Sequence, residues 1–251
     1  RRRRQVCIRG WGEVVLPMCR AAERDIKRIA GGEAGRLHIC IDCHTCFQWL
    51  IPCIDKYRGD WPEVELDLTG GFNFAPLPAL ARGDLDLVIT ADPLPISGIA
   101  YIPLFRYEAM LAVDRHHPLS LKEWVEPEDL SDQVLITYPV ERERLDVFTR
   151  FLDPASVEPE SIRTAELTPM MVQLVASGRG TACLPNWALM EYVDNQIIVA
   201  RKLGEHGIWA TLYAAIREDQ KDAAFIEDFL ATAEDTCFSN LSGIKAVNVE
   251  T

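Results

Sequence analysis

The chain has 251 residues, 48% hydrophobic and 25% charged, a balance that fits a globular protein of one or two domains. No apolar run nears the ~20 residues that cross a bilayer, and the basic N-terminus lacks the apolar segment of a secretory signal, so a cytoplasmic protein is expected. Twenty-six basic against 38 acidic residues leave a formal net charge of −12, which excludes a chain that attracts phosphates over its whole surface.

Residues 1–28 run against that balance with nine basic and three acidic side chains. From residue 10 to residue 30 the spacing predicts a helix, with Trp11, Val14, Val15, Met18, Ala22, Ile26 and Ile29 at steps of three and four. Pro17 implies a kink or a late start. Gly31, Gly32 and Gly35 then separate this helix from the body. The stripe of Trp11, Val15, Met18, Ala22, Ile26 and Ile29 can therefore be buried against a second copy, and dimerisation is the expectation. Packing on the body is the alternative.

Two βαβ passages follow. Residues 37–90 read strand (LHICID), helix (TCFQWLIPCIDKY), strand (VELDL), helix (FAPLPALARG), strand (LDLVIT). Residues 133–184 repeat the pattern: strand (QVLITY), helix (ERLDVFTRFL), strand (SIRTAE), helix (TPMMVQLVASG), strand (TACL). Short apolar strands alternating with helices give parallel sheets, so an α/β chain of two lobes is predicted. Residues 101–113 and 208–216 read as extended crossings between the lobes. Two such crossings make a hinge that can close without unfolding either lobe. The last helix is expected at 222–236, its stripe of Ala224, Phe225, Phe229 and Leu230 facing the first lobe. The expected division is 1–34 as a leading helix, 35–112 plus 213–251 as lobe I, and 113–212 as lobe II.

Eight cysteines are present, at 7, 19, 40, 43, 46, 53, 183 and 237. A chain of this size has core enough without staples, and reduced thiols are the expectation. Cys40, Cys43, His44 and Cys46 suggest soft metal ligands. However, Cys40 belongs to a strand and Cys46 to a helix start, and no second pair lies at the usual distance, so no metal or other cofactor is expected. There is no GxSxG, GxxxxGK[ST] or HExxH pattern either, and no enzyme is expected.

The order of these elements and several short motifs resemble the LysR-type family of bacterial transcription regulators. The landmarks are LIP at Leu50–Pro52, WPEVELDL at Trp61–Leu68, GDLDLVIT at Gly83–Thr90 and GRGTACLP at Gly178–Pro185. Arg1–Gly12 resembles the end of the family's DNA-binding wing, and Gly10–Ile29 its linker helix. The resemblance implies a two-lobed, type II periplasmic-binding-protein-like ligand domain and homodimers or homotetramers. Promoter DNA would be a partner only in the full-length regulator, since the recognition helix is absent here. Within the family, IDCHTCFQWL and ITYPVERERLDVF resemble regulators of methionine biosynthesis. That implies homocysteine, or a related small amino acid, as effector.

Ligands of open α/β sheets bind beyond the carboxyl ends of the strands. In lobe I these ends carry Cys43, His44 and Thr45 at a helix start, whose free amides suit a carboxylate, then Thr90 and Asp92. In lobe II they carry Tyr138, Arg142 and Arg144, then Glu166 and Thr168. One of the two arginines can clamp a carboxylate, and Asp92 or Glu166 can pair with an ammonium. The blander readings are ordinary too: Asp92 as a turn former, exposed arginines as solvated, Thr168-Pro169 as helix capping. The ligand's side chain would lie among apolar groups near Phe72 and Phe74. A solute-binding receptor of a transport system, which would share the fold, is the alternative function.

Overall fold

The computed structural model describes residues 15, 19, 36–42, 46–62, 64–70 and 75–247. Of the expected dimerisation stripe only Val15 lies among them, helical and exposed. Trp11, Met18, Ala22, Ile26 and Ile29 lie outside the described residues, as do Cys43, His44, Thr45, Phe72 and Phe74.

The chain divides into two compact units. The first comprises the described residues of Arg1–Asp42 with Cys53–Ile102 and Ala214–Thr232; the second comprises Cys43–Pro52, Pro103–Tyr213 and Ala233–Thr251. The sequence reading put the changeovers near 112 and 213 and gave 233–251 to lobe I. The first change falls ten residues earlier, and the C-terminal stretch groups with the second unit.

In chain order the first elements are strand β1 (Arg36–Ile41), helix α1 (Phe47–Asp60), β2 (Glu65–Gly70), α2 (Pro76–Ala81) and β3 (Leu87–Thr90). Strand β1 lies between β2 and β3 and is parallel to both. Its apolar residues Leu37, Ile39 and Ile41 are buried, and Cys40 on the other face is buried too. A strand covered on both faces needs such a near-continuous apolar run. Cys40 packs with Leu77, Leu80, Leu85 and Val88 in a cluster that α2 supplies. Helix α2 starts on Pro76, which lacks only an N–H that the first turn does not use. Gly83, at φ +75°, takes the left-handed turn that leads on towards β3.

The long β4 (Ile99–Asp114) is the first extended crossing, and β10 (Ile208–Arg217) is the second. Between them come β5 (Trp124–Val125), β6 (Val134–Thr137), β7 (Ser161–Thr164), α3 (Thr168–Ala176), β8 (Thr181–Pro185), α4 (Asn186–Asp194) and β9 (Ile198–Leu203). Strand β6 is parallel to β7 and β8; β4 is antiparallel to β8 and β9. Successive strand residues alternate between faces, and here both faces are covered. Leu111, Val113 and Leu135 pack with Phe148, Phe151 and Leu152 on one side. Ala112 and Ile136 pack with Met171, Val172, Val175 and Leu189 on the other.

Three expectations need correction. The helix expected at 143–152 starts later and is irregular: Arg142–Arg144 forms a separate 3-10 turn, and the helical stretch 146–155 carries a π segment at Phe148–Leu152. Pro154 has no N–H to give to an α-type ladder, and the N–H of Asp153 reaches five residues back to the carbonyl of Phe148. Helix α4 and strand β9 were not anticipated. The final helix, α5 (Ala224–Asn240), is present, but its buried stripe runs through Ile226, Phe229, Ala233 and Cys237, while Ala224 is exposed.

The thiol expectation also changes. Cys46, fully buried at the entry to α1, is disulfide-bonded. Among the described residues Cys19, Cys40, Cys53, Cys183 and Cys237 are outside any disulfide. Core size decides whether a fold needs a staple, not whether two particular sulfurs come within bonding reach.

One buried charge sets a pH dependence. Glu108 of β4 is 8% exposed, and its Oε1 has no hydrogen-bond partner among the described residues. It lies against Gly207, whose φ of +67° places any Cβ on the carboxylate. Burial raises its pKa above the usual 4.5, against the lowering pull of Lys202 and Lys245. A carboxyl group whose folded pKa exceeds its unfolded one favours the fold in acid, fully below the unfolded value, and loses that contribution as pH rises from there through the folded one. Glu108→Gln is therefore expected to raise the urea midpoint at pH 7, and the gain should vanish below about pH 4.5. Equal midpoints at pH 7 would contradict this.

Candidate functional site

The carboxyl ends of the parallel strands present a different set of groups in each unit. In the first unit, β1 ends beside β3, and the N–H of Asp42 donates to the carbonyl of Ile89 at 2.9 Å. This brings Asp42 to Thr90, whose hydroxyl donates to Asp42 Oδ2 at 3.2 Å. The same hydroxyl accepts the backbone N–H of Asp92 at 3.1 Å. The Asp42 carboxylate and the Asp92 backbone thus meet at one threonine hydroxyl at adjacent strand ends. Thr90 is itself wholly buried, so its role is to position the aspartates rather than to meet a ligand. Asp92 was expected; Asp42 was missed, having been read as the last residue of a strand. Its signal was available: a carboxylate directly after an apolar strand and before a helix start.

Cys40, one residue before Ile41, is not a ready nucleophile. Burial, then the neighbouring Asp42, push its thiol up to about 11. Among the described residues no three His, Cys, Asp or Glu side chains converge as metal ligands.

In the second unit the strand ends offer hydroxyl groups. Tyr138, just past β6, shares a 2.7 Å hydrogen bond with Thr168 at the start of α3. Burial pushes the Tyr138 phenol up to about 12, while Thr168 lowers it, so it stays protonated at neutral pH. The carbonyl of Thr137 accepts the N–H of Ala165, which joins the ends of β6 and β7. Glu166 is exposed beside them. Tyr138→Phe is expected to cost about 1–2 kcal/mol of stability, since it leaves a buried threonine hydroxyl without this partner. Thermal unfolding checks this, and an unchanged midpoint would contradict it.

Arg142 does not serve as the free clamp the sequence suggested. Its guanidinium reaches Asp153 at 2.5 Å and Glu158 at 2.8 Å, and it lies 4.0 Å from the centre of the Phe148 ring. It fastens the irregular segment after β6 to the chain ahead of β7. Its pKa is raised by hydrogen bonding, first to Asp153 and then to Glu158. Arg144, in the same 3-10 turn, is half-buried and also engaged.

These two α/β units, each with polar groups at its parallel strand ends, form the type II periplasmic-binding-protein-like fold of ligand-sensing regulatory domains. The profile of the LysR substrate binding domain matches residues 30–237, and the chain belongs to that family. Among curated proteins, it is 42% identical over 211 residues to the HTH-type transcriptional regulator MetR of Escherichia coli, covering 84% of this chain and 66% of that protein. It is 40% identical over 240 residues to MetR of Salmonella typhimurium, covering 94% and 75%. The chain thus spans about two thirds to three quarters of the length of these relatives. Among solved structures, the regulatory domain of MetR from N. meningitidis superposes with a TM-score of 0.79 at 38% identity, over 86% of this chain and all of that one. No helix among the described residues is long and apolar enough to cross a membrane.

Proposed function

We propose that this chain is the effector-sensing part of a DNA-binding regulator of methionine-biosynthesis genes, and that its effector is homocysteine or a closely related amino acid. The observation that carries the reading is the pair Asp42 and Asp92, tied through Thr90 at the carboxyl ends of β1 and β3, in a chain about 40% identical to MetR. An ammonium group is too costly to desolvate unpaired, and two carboxylate residues at adjacent strand ends are its natural partner. The effector's carboxylate falls to the helix start at Cys43–Thr45 by the sequence reading. Regulation then follows from differential affinity of the effector for two conformations of the protein. Promoter binding belongs to the longer regulator, acting in the cytoplasm as a dimer or tetramer through the Trp11–Ile29 stripe.

Calorimetric titration with homocysteine, methionine and cysteine tests the reading. Saturable heat with homocysteine, and weaker or no heat with the other two, is expected. Absence of binding by homocysteine would overturn the assignment.

A further inference from the structure

A second polar cavity lies away from these strand ends, where β6, β7 and β8 begin. Val134, Ser161 and Gly180, at or beside the first residues of the three strands, line it together with Glu160, Arg163 and Arg179, and its volume is 600 Å³. That size lies within the usual range for small-molecule sites.

The arginines distinguish it. Elsewhere in the described chain guanidinium groups are mostly engaged: Arg36 with Asp67, Arg142 with Asp153 and Glu158, Arg201 with the carbonyl of Ser120, Arg217 with that of Leu85. The guanidinium groups of Arg163 and Arg179 have no hydrogen bond, ion pair or ring contact among the described residues, and both residues, exposed, line this one cavity. Asp114 and Asp132 also line the cavity but pair with neither arginine: Asp114 accepts the N–H of His116 at 2.9 Å, and Asp132 accepts the side-chain amide of Gln133.

The backbone that presents Arg179 is also fixed. It lies between Gly178, at φ +64°, and Gly180, at φ +145°. A Cβ on Gly180 would sit 2.5 Å from the carbonyl oxygen of Val134, so the loop approaches the first residue of β6 as closely as a bare backbone can. Arg163 comes from β7, which is held in register with β6 by pairing of Ile136 with Arg163. Strand β7 and the glycine-flanked loop ahead of β8 thus bring two guanidinium groups, neither ion-paired among the described residues, to one concavity, a donor set that matches carboxylate or phosphate oxygens.

We infer that this cavity binds a small molecule through a carboxylate or phosphate group held by Arg163 and Arg179. Glu160, whose carboxylate has no partner among the described residues, opposes the anion together with Asp114 and Asp132, and the three set a ceiling on its affinity.

Titrating the whole chain at low ionic strength with inorganic phosphate and, separately, with malonate tests this, with chemical-shift changes as the readout. Saturable binding of at least one probe is expected, and whichever binds more tightly identifies phosphate or carboxylate as the recognised group. The double variant Arg163→Gln, Arg179→Gln should bind at least tenfold more weakly. Glu160→Gln should bind several-fold more tightly. Arg58→Gln, which removes an exposed arginine of α1 that likewise has no partner among the described residues, should bind as wild type does. No saturable binding of either probe, or equal affinity in the double variant and the Arg58 control, would overturn the inference.

Discussion

Replacing Phe229 by alanine is expected to destabilise the chain by about 3–5 kcal/mol, the range for removing a fully buried aromatic ring. In the first unit, Phe229 of α5 is wholly buried and meets the Tyr57 ring edge-on, with centroids 5.3 Å apart. Tyr57 in turn donates to the carbonyl of Phe225 at 2.8 Å, and Trp61 Nε1 donates to Asp228 at 2.7 Å. Burial holds the Tyr57 phenol well above its ordinary value, helped by Asp228 and Cys53, so it remains a donor across the neutral range. Helix α5 is therefore fastened to α1 and the residue after it by one edge-on ring pair and two hydrogen bonds. Truncating the ring leaves a cavity that the hydrogen bonds keep from collapsing. Urea unfolding measures the effect. Phe225→Ala, at a half-buried ring beside it whose carbonyl is retained, should cost clearly less. A loss below about 1 kcal/mol for Phe229→Ala would mean that α5 docks by other contacts.

The second large effect concerns the effector. Asp42→Asn is expected to weaken homocysteine binding about 10- to 150-fold, corresponding to roughly 1.5–3 kcal/mol for a hydrogen bond to a charged group. Asp92→Asn should weaken it by a similar factor. The two losses should not add, because the two carboxylates would share one ammonium group. Calorimetry on the single and double variants checks this. Wild-type affinity in the double variant would remove the first unit's strand ends from the site.

Much of the architecture was legible in the sequence, and particular residues show why. LHICI and VLIT are apolar runs short enough to be strands and lack a polar face, which parallel strands covered on both sides require. Observed β1 and β6 lie within a residue of the expected strands. The long runs at 101–113 and 208–216 became β4 and β10 for the same reason. Where the reading failed, tertiary bonding decided. The apolar spacing of ERLDVFTRFL suits a regular helix, but Pro154 interrupts the ladder just beyond it, and Arg142 fastens the segment through Asp153 and Glu158. No local pattern in the sequence reveals that ion pairing.

The candidate site was legible only in part, and for a related reason. Position at a strand end can be read from the alternation of elements, which is how Thr90, Asp92, Tyr138 and Thr168 were found. Whether a side chain faces outward or is consumed internally depends on its three-dimensional neighbours. Thr90 turns out to be buried, Arg142 is held by two carboxylates, and Asp42 emerges only because the pairing of β1 with β3 sets it beside Thr90. Arg163 and Arg179 gave no sequence signal, since nothing in their local sequence differs from that of solvated surface arginines.

A crystal structure of the chain with homocysteine tests most directly whether Asp42 and Asp92 receive the ammonium group of the effector. The ligand's nitrogen is expected within about 2.7–3.1 Å of a carboxylate oxygen of Asp42 or Asp92. Homocysteine bound with its nitrogen paired to other groups, and to neither aspartate, would contradict the proposal.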